Sequence, residues 1–321
     1  MTAVVMMAER QEKLSVRNLV ADRDLTRGDL RLLFELADRV KTSPGSFSRA
    51  LPGKQLAMIF EKPSLRTRTT FEVGITSLGG FAVYLDHTKP RLGEREAVKD
   101  IARNLSRWVD GVVARTFSHD SVTELAEHGS IPVVNALTDM FHPCQALADF
   151  FTLGEKFGGF QGLKLAFVGD GNNVCHSLLI TGAKLGVSVT VATPPGYEPK
   201  PEVVKWARED GRETGFVLTL TNSAEEAVSG ADAVYTDVWA SMGQEAEKEA
   251  RARLFAPYQV NARLMSRAKA DAIFMHCLPA HRGDEVTDEV IDAPYSVVYD
   301  EAENRLHAQK AILIALMGDK D

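Results

Sequence analysis

Five consecutive residues, Ser64-Leu65-Arg66-Thr67-Arg68, bring two hydroxyls and two guanidiniums to one place in the chain. An apolar run over 55–60 precedes them, Pro63 forces a turn, and an amphipathic helical pattern follows. The first backbone N–H groups of a helix have no intrahelical partners, and the helix dipole favours negative charge at that end. Arginine's planar fork pairs with two oxygens at once, so these residue types at a helix start suit a phosphorylated or doubly anionic ligand. The competing reading is an ordinary first turn, with Ser64 as cap and the arginines in solvent.

Further polar groups stand where other short apolar runs end. Arg115 follows residues 111–114 and reads, by itself, as a ligand-facing cation or as an ion-paired surface residue. His142-Pro143-Cys144-Gln145 opens a long helical segment, and Pro143 fits a first turn because its missing N–H would have lacked a partner there. His142 and Gln145, three apart, can face one point, the imidazole neutral or charged. Gly169-Asp170-Gly171-Asn172-Asn173 lacks the G-x-G-x-x-G spacing of a dinucleotide loop, and asparagines opening a helix could instead hold a carboxylate. Asp237, followed by Ser241-Met242-Gly243, sets a carboxylate and a hydroxyl in a glycine-containing loop that suits an ammonium ligand. Cys277, ahead of Leu278-Pro279, reads as a small buried residue or as a reactive thiol. Glu303-Asn304-Arg305 is expected to start the last helix, where Arg305 opposes the dipole unless an anion pairs with it.

The elements that must position these groups alternate almost throughout. Apolar runs at 55–60, 81–85, 111–114 and 132–137 are separated by helical periodicity, which indicates a parallel sheet covered on both faces. After a long helical segment at 144–157 the pattern restarts, with strands expected at 163–168, 188–192, 215–220, 233–237, 272–277 and 296–300. The predicted class is α/β, with two doubly wound parallel-sheet domains, 1–143 and 144–301. A C-terminal helix over 302–321 is expected to pack back on the first domain. Ligands of such sheets bind beyond the carboxyl ends of the strands, so the polar motifs converge on an active site in the cleft between the domains.

At 321 residues and 45% apolar composition the chain can bury two cores. A net charge of -7 without a basic block argues against nucleic acid, and no apolar run reaches the roughly 20 residues that span a bilayer. Residues 1–18 show neither a signal core nor a transit pattern, and the three cysteines, Cys144, Cys175 and Cys277, have no paired spacing. A cytoplasmic protein with reduced thiols and no metal site is expected.

Taken in order, SLRTRTTFE, VAR, HPCQALAD, GDGNN, DVWASMGQE, HCLPAHRGDE and ENR resemble the motifs of the aspartate and ornithine carbamoyltransferase family, over nearly the whole chain. The D-x-x-x-S-M-G and H-C-L-P pair resembles the ornithine branch. The resemblance implies carbamoyl transfer from carbamoyl phosphate to the δ-amine of L-ornithine, giving L-citrulline and phosphate, a reaction that serves arginine biosynthesis or, run backwards, catabolism. No cofactor is implied, because carbamoyl phosphate is already activated. It implies a homotrimer, or a multiple of trimers, with sites at subunit boundaries. It assigns Ser64, Leu65, Arg66, Thr67, Arg115, His142 and Gln145 to carbamoyl phosphate, with Cys277, Leu278 and Arg305 at the junction. It assigns Asn173, Asp237, Ser241 and Met242 to ornithine, and names Arg66, Arg115, His142 and Cys277 as catalytic. Leu65 departs from the family's S-T-R-T-R, keeping the backbone N–H but losing a hydroxyl. Residues 89–95 correspond to the loop that enters the neighbouring subunit's site, with Arg91 the candidate. Putrescine, an acylated ornithine, or a nucleotide bound at 169–173 are the alternative ligands.

Overall fold

The computed structural model describes residues 14–240 and 247–318. After α1 (Arg27–Thr42) the chain alternates β1 (Gln55–Phe60), α2 (Leu65–Ser77), β2 (Phe81–Asp86), α3 (Val98–Trp108), β3 (Gly111–Arg115), α4 (His119–His128) and β4 (Val133–Leu137). The long α5 (Pro143–Phe157) leads into β5 (Lys164–Val168), α6 (Asn173–Leu185), β6 (Ser188–Ala192), α7 (Pro201–Asp210), β7 (Leu218–Thr221), α8 (Ala224–Val228) and β8 (Ala233–Thr236). Then come α9 (Lys248–Phe255), α10 (Ala262–Met265), β9 (Ile273–His276), α11 (Asp288–Ile291) and α12 (Val298–Met317).

The strands form two sheets, ordered β2-β1-β3-β4 and β7-β6-β5-β8-β9, and every pairing within them is parallel. The α/β class with two parallel sheets is as the sequence predicts. Alternate residues of one strand serve different faces, which is why these runs are apolar without interruption. Leu56, Met58 and Phe60 of β1 face a core that includes Leu30, Leu33, Phe71 and Ile75. Ala57 and Ile59 face Leu105, Val122 and Leu125 on the other side. In the second sheet Leu165 and Phe167 of β5 pack with Leu178 and Leu179, while Ala166 and Val168 pack with Ala227 and Val228. α12 packs against α1, α2 and α5, and its Ala311, Ile312 and Leu313 join the core under the first sheet.

Two strand expectations change. Residues 296–300 form no strand: Ser296 makes a single bridge to Phe274, and α12 begins at Val298. Asp300 in the first turn complements the helix dipole and pairs with Lys156 of α5. The strand expected at 215–220 lies at Leu218–Thr221 on a sheet edge, where half its residues are exposed.

Candidate active site

Each sheet reverses its strand order once, between β1 and β3 in the first and between β5 and β8 in the second. Side chains diverge beyond the carboxyl ends of the strands at such a point and leave a crevice. The two crevices open on one cleft of about 1080 Å³, lined by Ser64–Thr67, Arg115, His142, Gln145, Asn172, Asn173, Asp237, Cys277, Leu278 and Arg305.

On the side of the first sheet, Ser64 caps α2, its Oγ accepting from the Thr67 N–H at 3.2 Å. Leu65 is the first helical residue, with its side chain 76% exposed at the cleft. Arg305 donates from Nη2 to Thr67 Oγ1 at 2.6 Å across 238 positions of sequence, and both residues are buried. That contact corrects the dipole argument for Arg305, which lies in the third turn of α12 rather than at its start. Arg115 ends β3 and is buried. His142 is the N-cap position of α5, its backbone N–H donating to Ser177 Oγ at 2.8 Å, and Gln145 follows within the first turn.

The second sheet contributes a carboxylate centre. Asp237 Oδ2 accepts from Asn172 Nδ2 at 2.7 Å, and Oδ1 accepts from the Cys277 thiol at 3.0 Å and from the Val238 N–H at 2.8 Å. Asn172, which caps α6, is therefore the asparagine that reaches Asp237, while Asn173 donates to the Thr138 carbonyl at 2.6 Å. Leu278 is the only non-glycine residue with positive φ among those described, at 55°, a region a leucine enters at a cost. Its N–H donates to His276 Nδ1 at 2.8 Å, and His276 Nε2 hydrogen-bonds Glu285 at 3.1 Å. Donor atoms of Asp237, His276 and Cys277 lie within 4.8 Å of one another, but both histidine nitrogens and the thiol hydrogen are committed to these hydrogen bonds.

The electrostatics are those of a site built for an anion. Burial, then Arg305 and Arg66, lowers the pKa of Arg115 to about 9. Arg66 and Arg305 are also lowered, first by burial, and Arg305 adds to the effect on Arg66. Burial, then Arg305 and Arg115, holds His142 well below the ordinary imidazole range, so the ring is neutral at pH 7. Cys277 is pushed well above a free thiol by burial and then by Asp237, so it stands as a protonated donor and not as a thiolate. Within this cleft Nε of Arg115, Nε of Arg305, Nδ1 of His142 and Oε1 of Gln145 are buried without a hydrogen-bond partner. Native interiors seldom leave such groups unpaired, and four around one cleft mark where a polar ligand would sit.

Two contributors escaped the motif reading. Lys62 is buried at the cleft wall with Nζ 4.2 Å from the Phe117 ring centroid, and burial, then Arg115, lowers its pKa to about 8. Its position between a strand end and Pro63 was the available signal. Glu61 accepts from the Leu92 N–H at 2.9 Å and the Phe117 N–H at 2.7 Å, tying together the loops beyond β1, β2 and β3. Asn172 stands in the motif reading only as part of the 169–173 loop, with Asn173 the one assigned to ornithine. Arg91 lies over the Phe117 ring at 3.9 Å and lines the cleft of its own chain. Ser241 and Met242 lie outside the described residues.

Two family models account for nearly all of the chain. The carbamoyl-P binding domain of aspartate/ornithine carbamoyltransferase matches residues 17–155, and the Asp/Orn binding domain matches residues 161–316. The ornithine carbamoyltransferase of Thermococcus kodakarensis is 55% identical over 307 residues, which cover 95% of this chain and 98% of that one. That of Pyrococcus horikoshii is 54% identical over 95% of this chain and 97% of its own. The solved ornithine carbamoyltransferase of Pyrococcus furiosus superposes with a TM-score of 0.92 at 52% identity, covering 95% of this chain and 98% of that one. With both family domains present in order and the cleft lying between their sheets, the chain belongs to the aspartate/ornithine carbamoyltransferase family.

Proposed function

We infer that the protein is an ornithine carbamoyltransferase, transferring the carbamoyl group of carbamoyl phosphate to the δ-amine of L-ornithine to give L-citrulline and phosphate. The observation that carries the reading is a cleft in which burial lowers the pKa of Arg66, Arg115 and Arg305, Arg305 lowers the other two further, and buried donors stand unpaired. A dianionic phosphate at the start of α2 would satisfy them together. In this reading Ser64, Leu65, Arg66 and Thr67 hold the phosphate, Leu65 through its backbone N–H. Arg115, neutral His142 and the Thr67 hydroxyl donate to the carbonyl oxygen as negative charge develops there. Gln145 Oε1 accepts from the carbamoyl NH2. Asp237, with Asn173, Ser241 and Met242, holds the amino-acid end of ornithine, and Cys277, Leu278 and Arg305 close the junction between the substrates.

The neutral δ-amine attacks the carbamoyl carbon, and the tetrahedral intermediate expels phosphate. An alkylammonium has a solution pKa near 10.4, so deprotonating it at pH 7 costs about 4–5 kcal/mol. The cluster of arginines lowers that cost by disfavouring a nearby cation. The thiol of Cys277 donates to Asp237 and is no base. The proton therefore leaves with the phosphate or with solvent. Holding both substrates in register supplies the proximity contribution.

The finer setting is a homotrimer or a multiple of trimers in the cytoplasm, serving arginine synthesis. Exposed Phe81 and Val83 on the edge strand β2 favour assembly, and the three cysteines are free thiols. No helix among the described residues is long and apolar enough to cross a membrane. A citrulline-forming assay with ornithine, putrescine and N-acetylornithine side by side tests reaction and acceptor together. Ornithine is expected to be preferred by orders of magnitude, since putrescine lacks both groups that the Asp237 end would bind and the acetylated amine has no α-ammonium. Turnover of putrescine at the same rate refutes the acceptor assignment.

Lys62 gives this reading a pH signature. Its ammonium adds positive charge to the phosphate side below about pH 8 and loses it above, because burial depresses its pKa. At saturating ornithine, kcat/KM for carbamoyl phosphate is expected to decline above about pH 8. Lys62→Met is expected to raise KM for carbamoyl phosphate several-fold and to remove that decline. A variant whose profile retains the decline at about pH 8 assigns it to another group.

A further inference from the structure

Beneath Gln145 lies a pair of buried carboxyls that the mechanism above does not use. Gln145 Nε2 donates to Asp149 Oδ1 at 2.7 Å and to Glu301 Oε1 at 3.0 Å. Both hydrogens of the amide are thereby committed, and its Oε1 is left buried, unpartnered and at the cleft. Nothing else at Gln145 decides which end of the amide faces the ligand, since oxygen and nitrogen are nearly equal in size. Two acceptors on one side force the oxygen to the other.

The pair itself is held from both domains. Glu301 Oε1 also accepts from the Tyr235 hydroxyl at 3.3 Å, and Oε2 accepts from the His276 N–H at 3.0 Å. Asp149 and Glu301 are both buried and both accept from the one Gln145 Nε2, and two carboxyls so close in a dry interior favour a proton on one of them. Burial raises both, Asp149 to about 6 and Glu301 well above the usual range, so the proton resides on Glu301. One negative charge remains, on Asp149, facing Arg305 of α12.

We propose that the Asp149–Glu301 carboxyl pair is a positioning device that fixes the Gln145 amide with its oxygen toward the cleft, making the site select an acyl phosphate that carries N–H donors. The proposal rests on the carbamoyl phosphate reading and goes beyond it by locating selectivity in two residues that touch no substrate. A carbamoyl NH2 satisfies Gln145 Oε1, whereas an acetyl methyl leaves it buried and unpaired, which is heavily penalised. Without the pair, the amide can turn its NH2 outward, and the preference disappears.

The test compares KM for carbamoyl phosphate with the inhibition constant of acetyl phosphate against it, in wild type, Asp149→Asn and Glu301→Gln. Asp149→Asn removes the charged acceptor and is expected to shrink the preference for carbamoyl over acetyl phosphate roughly tenfold, by weakening the former and not the latter. Glu301→Gln keeps an oxygen that accepts from Gln145 Nε2 but sets an NH2 where Oε2 accepts from the His276 N–H; the preference for carbamoyl over acetyl phosphate is expected to stay within about twofold of wild type, while the lost His276 contact lowers stability. A folded Asp149→Asn enzyme with the wild-type preference overturns the proposal, and so does a Glu301→Gln enzyme that loses it. Where Asp149→Asn does not fold, Glu301→Ala carries the same readout, since it removes one acceptor and the shared proton; an unchanged preference again overturns the proposal. A purely structural role would lower activity with both acyl phosphates binding equally worse. Wild-type protein that forms no citrulline takes down the functional reading and this inference together, whereas the variant outcomes bear on the inference alone.

Discussion

Arg115→Met is expected to lower kcat/KM for carbamoyl phosphate by about 10³ or more while raising the thermal midpoint of the unliganded protein. The loss follows from the position of Arg115 at the carboxyl end of β3, buried with Nε unpaired beside Arg66 and Arg305. One preorganised donor to a developing oxyanion is worth about 10²–10³ in rate, and a guanidinium that also meets the leaving phosphate contributes more. The gain follows from the same geometry. An arginine lowered from 12.5 to about 9 is destabilised in the folded chain by an amount on the order of 5 kcal/mol. The sign is opposite to that of an ion-paired arginine. Below pH 9 the group is charged in both the folded and unfolded chains and the full penalty applies. As pH rises through about 9 the folded protein releases the proton first and the penalty shrinks. Methionine carries no charge to desolvate, so the difference in midpoint between variant and wild type is expected to be positive at pH 7 and to narrow above pH 9. Inorganic phosphate supplies the missing counter-charge and is expected to stabilise wild type more than the variant. Differential scanning calorimetry with and without phosphate reads both effects. A variant less stable than wild type at pH 7 would show that Arg115 has its partner within the protein and is no waiting ligand group.

That trade of stability for an unpaired charge explains which features could be read from the sequence. Strands buried on both faces, such as β1 and β3, leave continuous apolar runs, and both were legible. The carboxyl ends of the strands placed Arg115 and Asp237 at or next to a strand's last residue and Arg66 and His142 at the helix starts that follow, because parallel sheets fix where ligands bind. Residues 296–300 misled because Val297 and Val298 are apolar for a different reason: they pack under the second sheet at a helix entry. A short apolar run cannot by its periodicity separate the two. The site was legible where a charge stands beside a strand end and illegible where its role is set by a distant partner. Arg305 acquires its meaning from Thr67, 238 positions away, and Gln145 from Glu301, 156 positions away. Asn172 and Asn173 are adjacent and chemically identical, and only the N-cap geometry of α6 turns one toward Asp237 and the other toward Thr138.

The ornithine end supplies the second large effect. Asp237→Asn is expected to lower kcat/KM for ornithine by about 10²–10³, because truncating the charge of one partner in a desolvated pair costs about 2–5 kcal/mol. KM for carbamoyl phosphate is expected to change little, since the contacts of Asp237 run to Asn172, Val238 and Cys277 and not to the phosphate side. The same substitution should expose itself in the chemistry of Cys277. Asp237 contributes to raising that thiol, both by its charge and by accepting the thiol hydrogen. Asparagine removes the charge, so the thiol pKa falls and a larger fraction is thiolate at pH 8. Iodoacetamide is therefore expected to modify Cys277 faster in the variant than in wild type. Competing thiols do not obscure the measurement, because burial pushes Cys144 up to about 12 and Cys175 well above the ordinary value. Equal alkylation rates would mean that the carboxylate does not govern the thiol, and unchanged ornithine kinetics would remove Asp237 from the acceptor site. The two readouts separate binding from electrostatics. A variant with slow turnover but unaltered alkylation has lost geometry, whereas one showing both changes has lost the negative charge that keeps Cys277 protonated and would pair with the ornithine ammonium.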